Sequence, residues 1–244
     1  MNKPKIGLIQ PGGIGDIVIA LPIGKHFVDN GFEVFHPIHK NYLESFSTVA
    51  PYINFISLEN TNTIQDAILD PMRILSDLGC VKAINLLSYI SPNQELVENK
   101  KFAECFKFDQ YKYSISGVPF RKKWDLQLIR NKVREEALFE KLGLNLNDEY
   151  TVLHIKGAKF EVNIDSISSL ISTSKFIQIT NETSNLFDWL TVLERAKHLI
   201  MIDSCYANIV EQLNFSNPKT LVLSNPIAFT PVFINNWNYV YFNQ

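Results

Sequence analysis

Residues 5–27, KIGLIQPGGIGDIVIALPIGKHF, constrain the fold more than any other stretch of the chain. Ile6-Gly7-Leu8-Ile9 is a short apolar run, Pro11-Gly12-Gly13-Ile14-Gly15 breaks it, and after Asp16 a second apolar segment begins at Ile17. This order predicts a strand, a glycine-rich turn and a helix, the opening of an α/β domain. Glycines without Cβ let the backbone come close to a ligand. The start of a helix offers free N–H groups and the positive end of its dipole. Asp16 stands at this junction. Aspartate is also a favoured N-cap, so the motif alone leaves two roles open, a helix cap or a site residue.

Beyond this stretch the pattern alternates. Residues 32–36, 53–58 and 81–87 read as strands, and residues 41–50 and 63–78 as helices, the second broken or kinked at Pro71 and stopped at Gly79. Such alternation implies a parallel sheet covered on both faces. The rhythm then changes. Residues 93–108 read as a helix, 110–117 as an irregular, tyrosine-rich segment, and 124–142 as a helix carrying Leu126, Ile129, Val133, Ala137, Leu138 and Leu142 on one face. After a linker at 143–148, strands are expected at 151–155, 176–180, 198–202, 220–223 and 239–242. The helices between them are expected near 165–173, 183–196 (capped by Thr183 or Ser184) and 204–213. The expected architecture is two Rossmann-like α/β domains. Residues 1–148 form the first, with a helical insertion at about 93–142, and residues 149–244 form the second.

Composition excludes little but orders the alternatives. With 46% hydrophobic and 20% charged residues the chain can bury a real core, and a net charge of −2 gives no global attraction to nucleic acid or anionic membranes. Cys80, Cys105 and Cys205 form no CxxC pair, which favours a reducing compartment over a disulfide framework or a zinc site. The chain starts without a leader-like segment and holds no apolar run of the ~18 residues a membrane span needs, so a cytoplasmic location is expected.

A second junction falls at Asp203-Ser204, where the strand 198–202 gives way to a helix. Ligands of open α/β sheets bind beyond the carboxyl ends of the strands, and a hydroxyl beside helix-end N–H groups suits a phosphate. A simple cap without a ligand explains the same residues.

Taken together, Gly12-Gly13-Ile14-Gly15-Asp16 with Ala20-Leu21-Pro22, and Asp203-Ser204-Cys205-Tyr206-Ala207-Asn208 in the other half, resemble two signatures of the heptosyltransferase-like glycosyltransferases, family 9, of GT-B fold. The family's second signature reads D-S-G-x-x-H; here Cys205 replaces the glycine and Asn208 the histidine. The chain resembles a shortened, divergent member. The resemblance implies two domains facing across a cleft, with a nucleotide-diphosphate sugar in the C-terminal one and a hydroxyl acceptor, a glycan of lipopolysaccharide or surface-polysaccharide type, in the N-terminal one. It implies transfer with inversion and without a metal or resident cofactor, the nucleotide-sugar being a co-substrate. Asp16 would be the general base, a role a carboxylate can fill as the attacking hydroxyl acidifies. Ser204 and the N–H groups of Cys205 and Tyr206 would meet the leaving diphosphate, with Asp203 and Asn208 beside them and Lys156 or Lys159 as charge partners. Gly12, Gly13 and Gly15 would line the acceptor side.

Arg121, Lys122, Lys123, Arg130, Lys132 and Arg134 form a basic cluster with only Asp125 among them. It reads first as a solvated helix face. Alternatively it passes an acidic substrate along, with Arg121, Lys122, Lys123 and Trp124 on the acceptor side. DNA is the less favoured partner, because phosphate contacts dominate DNA affinity and the net charge is near zero. A non-catalytic nucleotide- or glycan-binding module is the third reading. His36 and His39 lie three apart on a strand and so face opposite ways, which argues against a shared metal. His154 reads as a core histidine. Cys205 sits at a helix start, which could lower its thiol pKa, but no partner histidine is near in sequence.

Overall fold

In the computed structural model, residues 3–87, 106–157, 161–224 and 230–241 are described. The chain divides into two compact units, residues 1–129 and 130–244.

The first unit is a four-stranded parallel sheet in the order β3-β2-β1-β4. Its strands are β1 (Lys5–Ile9), β2 (Glu33–His39), β3 (Asn54–Leu58) and β4 (Lys82–Asn85). Leu8 and Ile9 at its centre are shut off from water. The helix α1 (Ile14–Asp29) is apolar right round from Ile17 to Gly24 and wholly buried there. Helices α2 (Lys40–Val49) and α3 (Asp70–Asp77) follow their strands. The helical segment expected at 63–78, broken or kinked at Pro71, is two consecutive pieces that meet just ahead of the proline. A π-helical turn at Gln65–Leu69 precedes α3, with the Asp70 N–H reaching the carbonyl of Gln65 five residues back. Pro71 lies in the first turn of α3, where its missing N–H costs no hydrogen bond.

The helix expected at 93–108 lies largely outside the described residues. The segment 110–117, read as irregular, falls in a helix, α4 (Phe108–Ser116), ended by Gly117 in the left-handed conformation (φ 74°). Tertiary contacts override its weak propensity: Tyr113 is buried, and its hydroxyl donates to the Ile19 carbonyl of α1 at 3.1 Å. The helix expected at 124–142 is also split. A 3-10 turn covers Phe120–Trp124, and α5 (Lys132–Lys141) starts only at Asn131, whose side chain caps it by accepting from Arg134 N–H. Ile129 and Val133, assigned to its apolar face, are solvent-exposed.

The second unit is a five-stranded parallel sheet, β6-β5-β7-β8-β9. It contains β5 (Tyr150–His154), β6 (Lys175–Gln178), β7 (His198–Ile202), β8 (Lys219–Leu223) and β9 (Trp237–Tyr241). Helices α6 (Leu190–Arg195) and α7 (Cys205–Gln212) are joined by 3-10 turns at Ile164–Leu170 and Leu186–Trp189. The cap expected at Thr183 or Ser184 is Asn185, which accepts from Phe187 N–H.

The division falls before α5, earlier than the linker at 143–148, because α5 packs into the second unit. Arg134 grips the Asp188 carboxylate (2.8 Å), Glu136 pairs with Arg195, and the Phe139 ring meets Tyr150 edge-on. Glu211, fully buried in α7, holds the chain leading into β9 by accepting from Ile234 N–H and the Trp237 indole N–H, both at 2.8 Å. Among the described residues no helix is long and apolar enough to cross a membrane.

Candidate functional site

Each sheet reverses its strand order once beside its first strand, between β1 and β4 in the first unit and between β5 and β7 in the second. At such a point the connections diverge to opposite faces and leave a crevice beyond the strand ends. Both sequence motifs fall there.

In the first unit the turn after β1 opens a cavity of about 480 Å3, lined by Gln10, Gly12, Gly13, Asp16, His39 and Tyr42 among others. Gly13, at φ 74°, caps α1 without a side chain, so Asp16 is not the N-cap. It lies in the first turn, where a negative charge interacts well with the helix dipole. Its carboxylate, about one-third exposed at 36%, is bound at Oδ1 by the ammonium of Lys112 at 3.0 Å. A Cβ on Gly13 would stand 2.7 Å from Oδ2, so only glycine leaves that oxygen its place. Gly12 lines the cavity with Gly13; Gly15 is inside α1 and does not.

Lys112, from α4, is 1% exposed. Its ammonium donates to Gln10 Oε1 at 2.6 Å and to the Leu86 carbonyl at 3.0 Å, besides the ion pair with Asp16 Oδ1. Gln10 is fixed in turn, its amide donating to the Gly12 carbonyl at 2.8 Å. Beneath it, fully buried His36 bonds the Gln10 carbonyl through Nε2 at 3.1 Å, while its Nδ1 has no partner. Burial, aided by the charge on Lys112, pushes the His36 pKa down to about 4 despite that hydrogen bond, so the ring is neutral. His39 is turned to another task, accepting Asn41 N–H at the start of α2.

In the second unit Ser204 caps α7, its Oγ accepting Ala207 N–H at 3.3 Å and lying 2.9 Å from Nδ1 of His154 at the end of β5. His154, read as a core histidine, thus belongs to this junction; burial lowers its pKa to about 4 and keeps it uncharged. The Tyr206 ring packs edge-on against it. The Asn208 amide donates to the Ser204 carbonyl at 2.9 Å, and its buried Oδ1 has no partner. Asp203 is exposed in the preceding turn. The Cys205 thiol is pushed up to about 12 by burial, against the lowering expected from the helix start, and is not a thiolate. Lys156 forms an exposed pair with Glu161 at 2.9 Å, and Lys159 lies outside the described residues.

The basic cluster does not form one surface. Lys123 is fully buried in an ion pair with Asp109 at 2.7 Å, so it cannot meet an acceptor directly. Lys122 pairs with Asp125, Arg130 with Glu135 and Glu194, and Arg134 with Asp188. Arg121 is exposed, and Trp124 packs edge-on against Phe120. Among the described residues no group of three or more His, Cys, Asp or Glu side chains comes together as a metal site.

No protein-family model matches the sequence, and no curated protein is similar to it. The structure is similar to solved ones. A glycosyl transferase of family 9 from Veillonella parvula superposes with a TM-score of 0.68 at 14% identity, covering 100% of this chain and 88% of that one. The ADP-heptose lipopolysaccharide heptosyltransferase II of E. coli superposes with a TM-score of 0.56 at 11% identity, over 97% and 90% of the two chains. The iron-containing dodecameric glycosyltransferase TibC of enterotoxigenic E. coli gives 0.58 at 13% identity, over 100% of this chain and 63% of its own. Two parallel α/β sheets, each with its motif at the point of reversal, give this chain the GT-B fold of the family 9 glycosyltransferases.

Proposed function

We propose that the protein is a glycosyltransferase that moves a sugar from a nucleotide-diphosphate sugar to a hydroxyl acceptor, a glycan, with inversion, without a metal, and in the cytoplasm. The observation that carries this reading is the Asp16 carboxylate on the wall of the first-unit cavity, anchored at one oxygen and accessible to solvent. In the reaction the acceptor hydroxyl attacks the anomeric carbon and passes its proton to Asp16 as the C–O bond forms. The bond to the diphosphate breaks, and the nucleotide leaves with the electron pair. On this reading the diphosphate rests at the start of α7, where the free N–H groups of Cys205 and Tyr206 and the Ser204 hydroxyl offset the developing charge. Lys156 and Lys159 remain the candidate cations for that half, with Asp203 and Asn208 beside them. Gly12 and Gly13 flank the acceptor, with Gly15 behind them in α1, and Arg121, Lys122 and Trp124 are the candidate acceptor-side residues of the basic stretch. The ion pairing of Lys122, Arg130 and Arg134, and the burial of Lys123, weigh against a DNA acceptor.

The structural neighbours point to an ADP-sugar as the first donor to try, since one of them is described in complex with ADP-D-β-D-heptose. A thermal-shift screen of ADP-, UDP-, GDP- and CMP-sugars identifies the donor, and nucleotide release on adding glycan acceptors measures transfer. Asp16→Ala is expected to abolish transfer while donor binding by calorimetry stays as in the wild type. Full turnover by that variant would remove Asp16 as the base, and no binding to any of the four donor classes would favour a non-catalytic module.

A further inference from the structure

The first cavity owes the posture of its carboxylate to a residue nearly a hundred positions away. We infer that Lys112 is the positioning residue of the transfer reaction, pinning Oδ1 of Asp16 so that Oδ2 stands over Gly13 as the proton-accepting oxygen. The inference rests on the reading of Asp16 as base.

Four features separate this arrangement from an ordinary buried ion pair. Lys112 is shut off from a substrate: it is 1% exposed, donates to Gln10 and Leu86, and turns its remaining charge on Asp16. Its acceptors follow directly on the two strands at the point of reversal, Gln10 just past β1 and Leu86 just past β4, where the Leu86 N–H still donates to the Ile9 carbonyl. Its helix is fastened to α1, the element that bears Asp16, by the Tyr113 hydroxyl on the Ile19 carbonyl. Finally, the two carboxylate oxygens are treated differently. Oδ1 takes the lysine, whereas no described residue donates to Oδ2, which lies where a side chain on Gly13 would have stood. A carboxylate held at one oxygen by a group that cannot move, with the other left open on a cavity wall, has the geometry a general base needs.

A structural counter-ion and a positioning residue differ in what their loss does to turnover. Lys112→Met keeps the bulk and removes the charge. Measured as nucleotide release with the donor selected above, its kcat is expected to fall about 100-fold, the scale of a 1 Å misplacement, with KM for the donor unchanged. In the Asp16→Asn background the same change is expected to cost nothing further, because the group it positions is gone. Lys112→Ala is expected to regain part of its kcat with n-propylammonium, which replaces the missing stem and charge, and not with n-propanol. Should the Lys112 variants fail to fold, Gln10→Glu serves instead. It sets a second carboxylate on the same ammonium and is expected to lower kcat about tenfold at unchanged donor affinity.

Wild-type turnover in Lys112→Met or Gln10→Glu overturns the inference. So does an equal loss in both backgrounds, or equal rescue by the alcohol and the ammonium. If Asp16→Asn itself retains turnover, the base reading fails first, and that result is visible without any Lys112 variant.

Discussion

Between β1 and β4 the point of strand reversal holds a carboxylate seated on a buried lysine; between β5 and β7 it holds a serine hydroxyl seated on a buried, uncharged histidine. The backbone device is the same in both halves, a helix starting just beyond the carboxyl ends of parallel strands. The side chains set it to opposite uses. In the first unit a side-chain-free cap and an aspartate in the first turn answer the helix dipole from within the chain, so an incoming anion meets a negative charge. In the second unit the cap is a neutral hydroxyl and its partner a neutral ring; the one nearby carboxylate in sequence, Asp203, precedes the cap, and no acidic residue stands in the first turn of α7. On the proposed reading, proton transfer falls to one crevice and phosphate binding to the other through a change of few residues.

The largest effect that would test this contrast is on turnover. Asp16→Asn keeps the shape and removes the charge, and a fall of about 10²–10⁴-fold in nucleotide release is expected. Ser204→Ala is expected to act mainly on donor affinity. If the two variants traded these signatures, the assignment of the crevices would be reversed. Next comes the support of the charged side. Asp109→Ala removes the buried carboxylate that pairs with Lys123, and a loss of about 3–5 kcal/mol in urea unfolding is expected.

The neutral histidines give a smaller, pH-dependent effect. Both His36 and His154 have folded pKa values of about 4 against an ordinary 6.5. Between those limits the unfolded chain binds protons that the folded chain does not. Their contribution is therefore complete above pH 6.5 and is lost as the pH falls towards 4, by about 1.4 kcal/mol per pH unit for each ring. Urea midpoints between pH 7 and 4.5 would show this slope, and His154→Gln should remove that ring's share of it. The smallest effect is the cap itself: Ser204→Ala is expected to lower stability by about 1 kcal/mol, read from its thermal unfolding.

Much of this architecture is legible in the sequence because its signals are local. The run at Ile6–Ile9, the glycines after it and the apolar run at Leu199–Ile202 name the two crevices from periodicity and turn chemistry alone. Lys112 leaves no such trace. It stands in a tyrosine-rich stretch that reads as irregular, and the groups that make it meaningful, Gln10 and Asp16, are nearly a hundred residues earlier. Lys123 misleads for the same reason. Within Arg121-Lys122-Lys123-Trp124 it looks like surface charge, and only Asp109, brought close by α4, turns it inward. His154 was legible as buried but not as the partner of Ser204, since adjacency of β5 and β7 is a property of the sheet. The split of 124–142 was hidden because apolar spacing does not register the Asn131 cap.

The π-helical turn at Gln65–Leu69 bears on how such a cavity changes over time. It holds one residue more than a regular helical path would need, and two of its members, Ala67 and Ile68, wall the cavity. Deleting one residue there would let the segment close into an ordinary helix in register with α3, drawing in the stretch that carries Ala67 and Ile68. The sheet and the Lys112–Asp16 pair would be untouched while the opposite wall was rebuilt. If the cavity takes the acceptor, as proposed, its choice can drift by single-residue changes in length, a route that leaves the Lys112–Asp16 pair intact and that comparison of substitutions alone would miss.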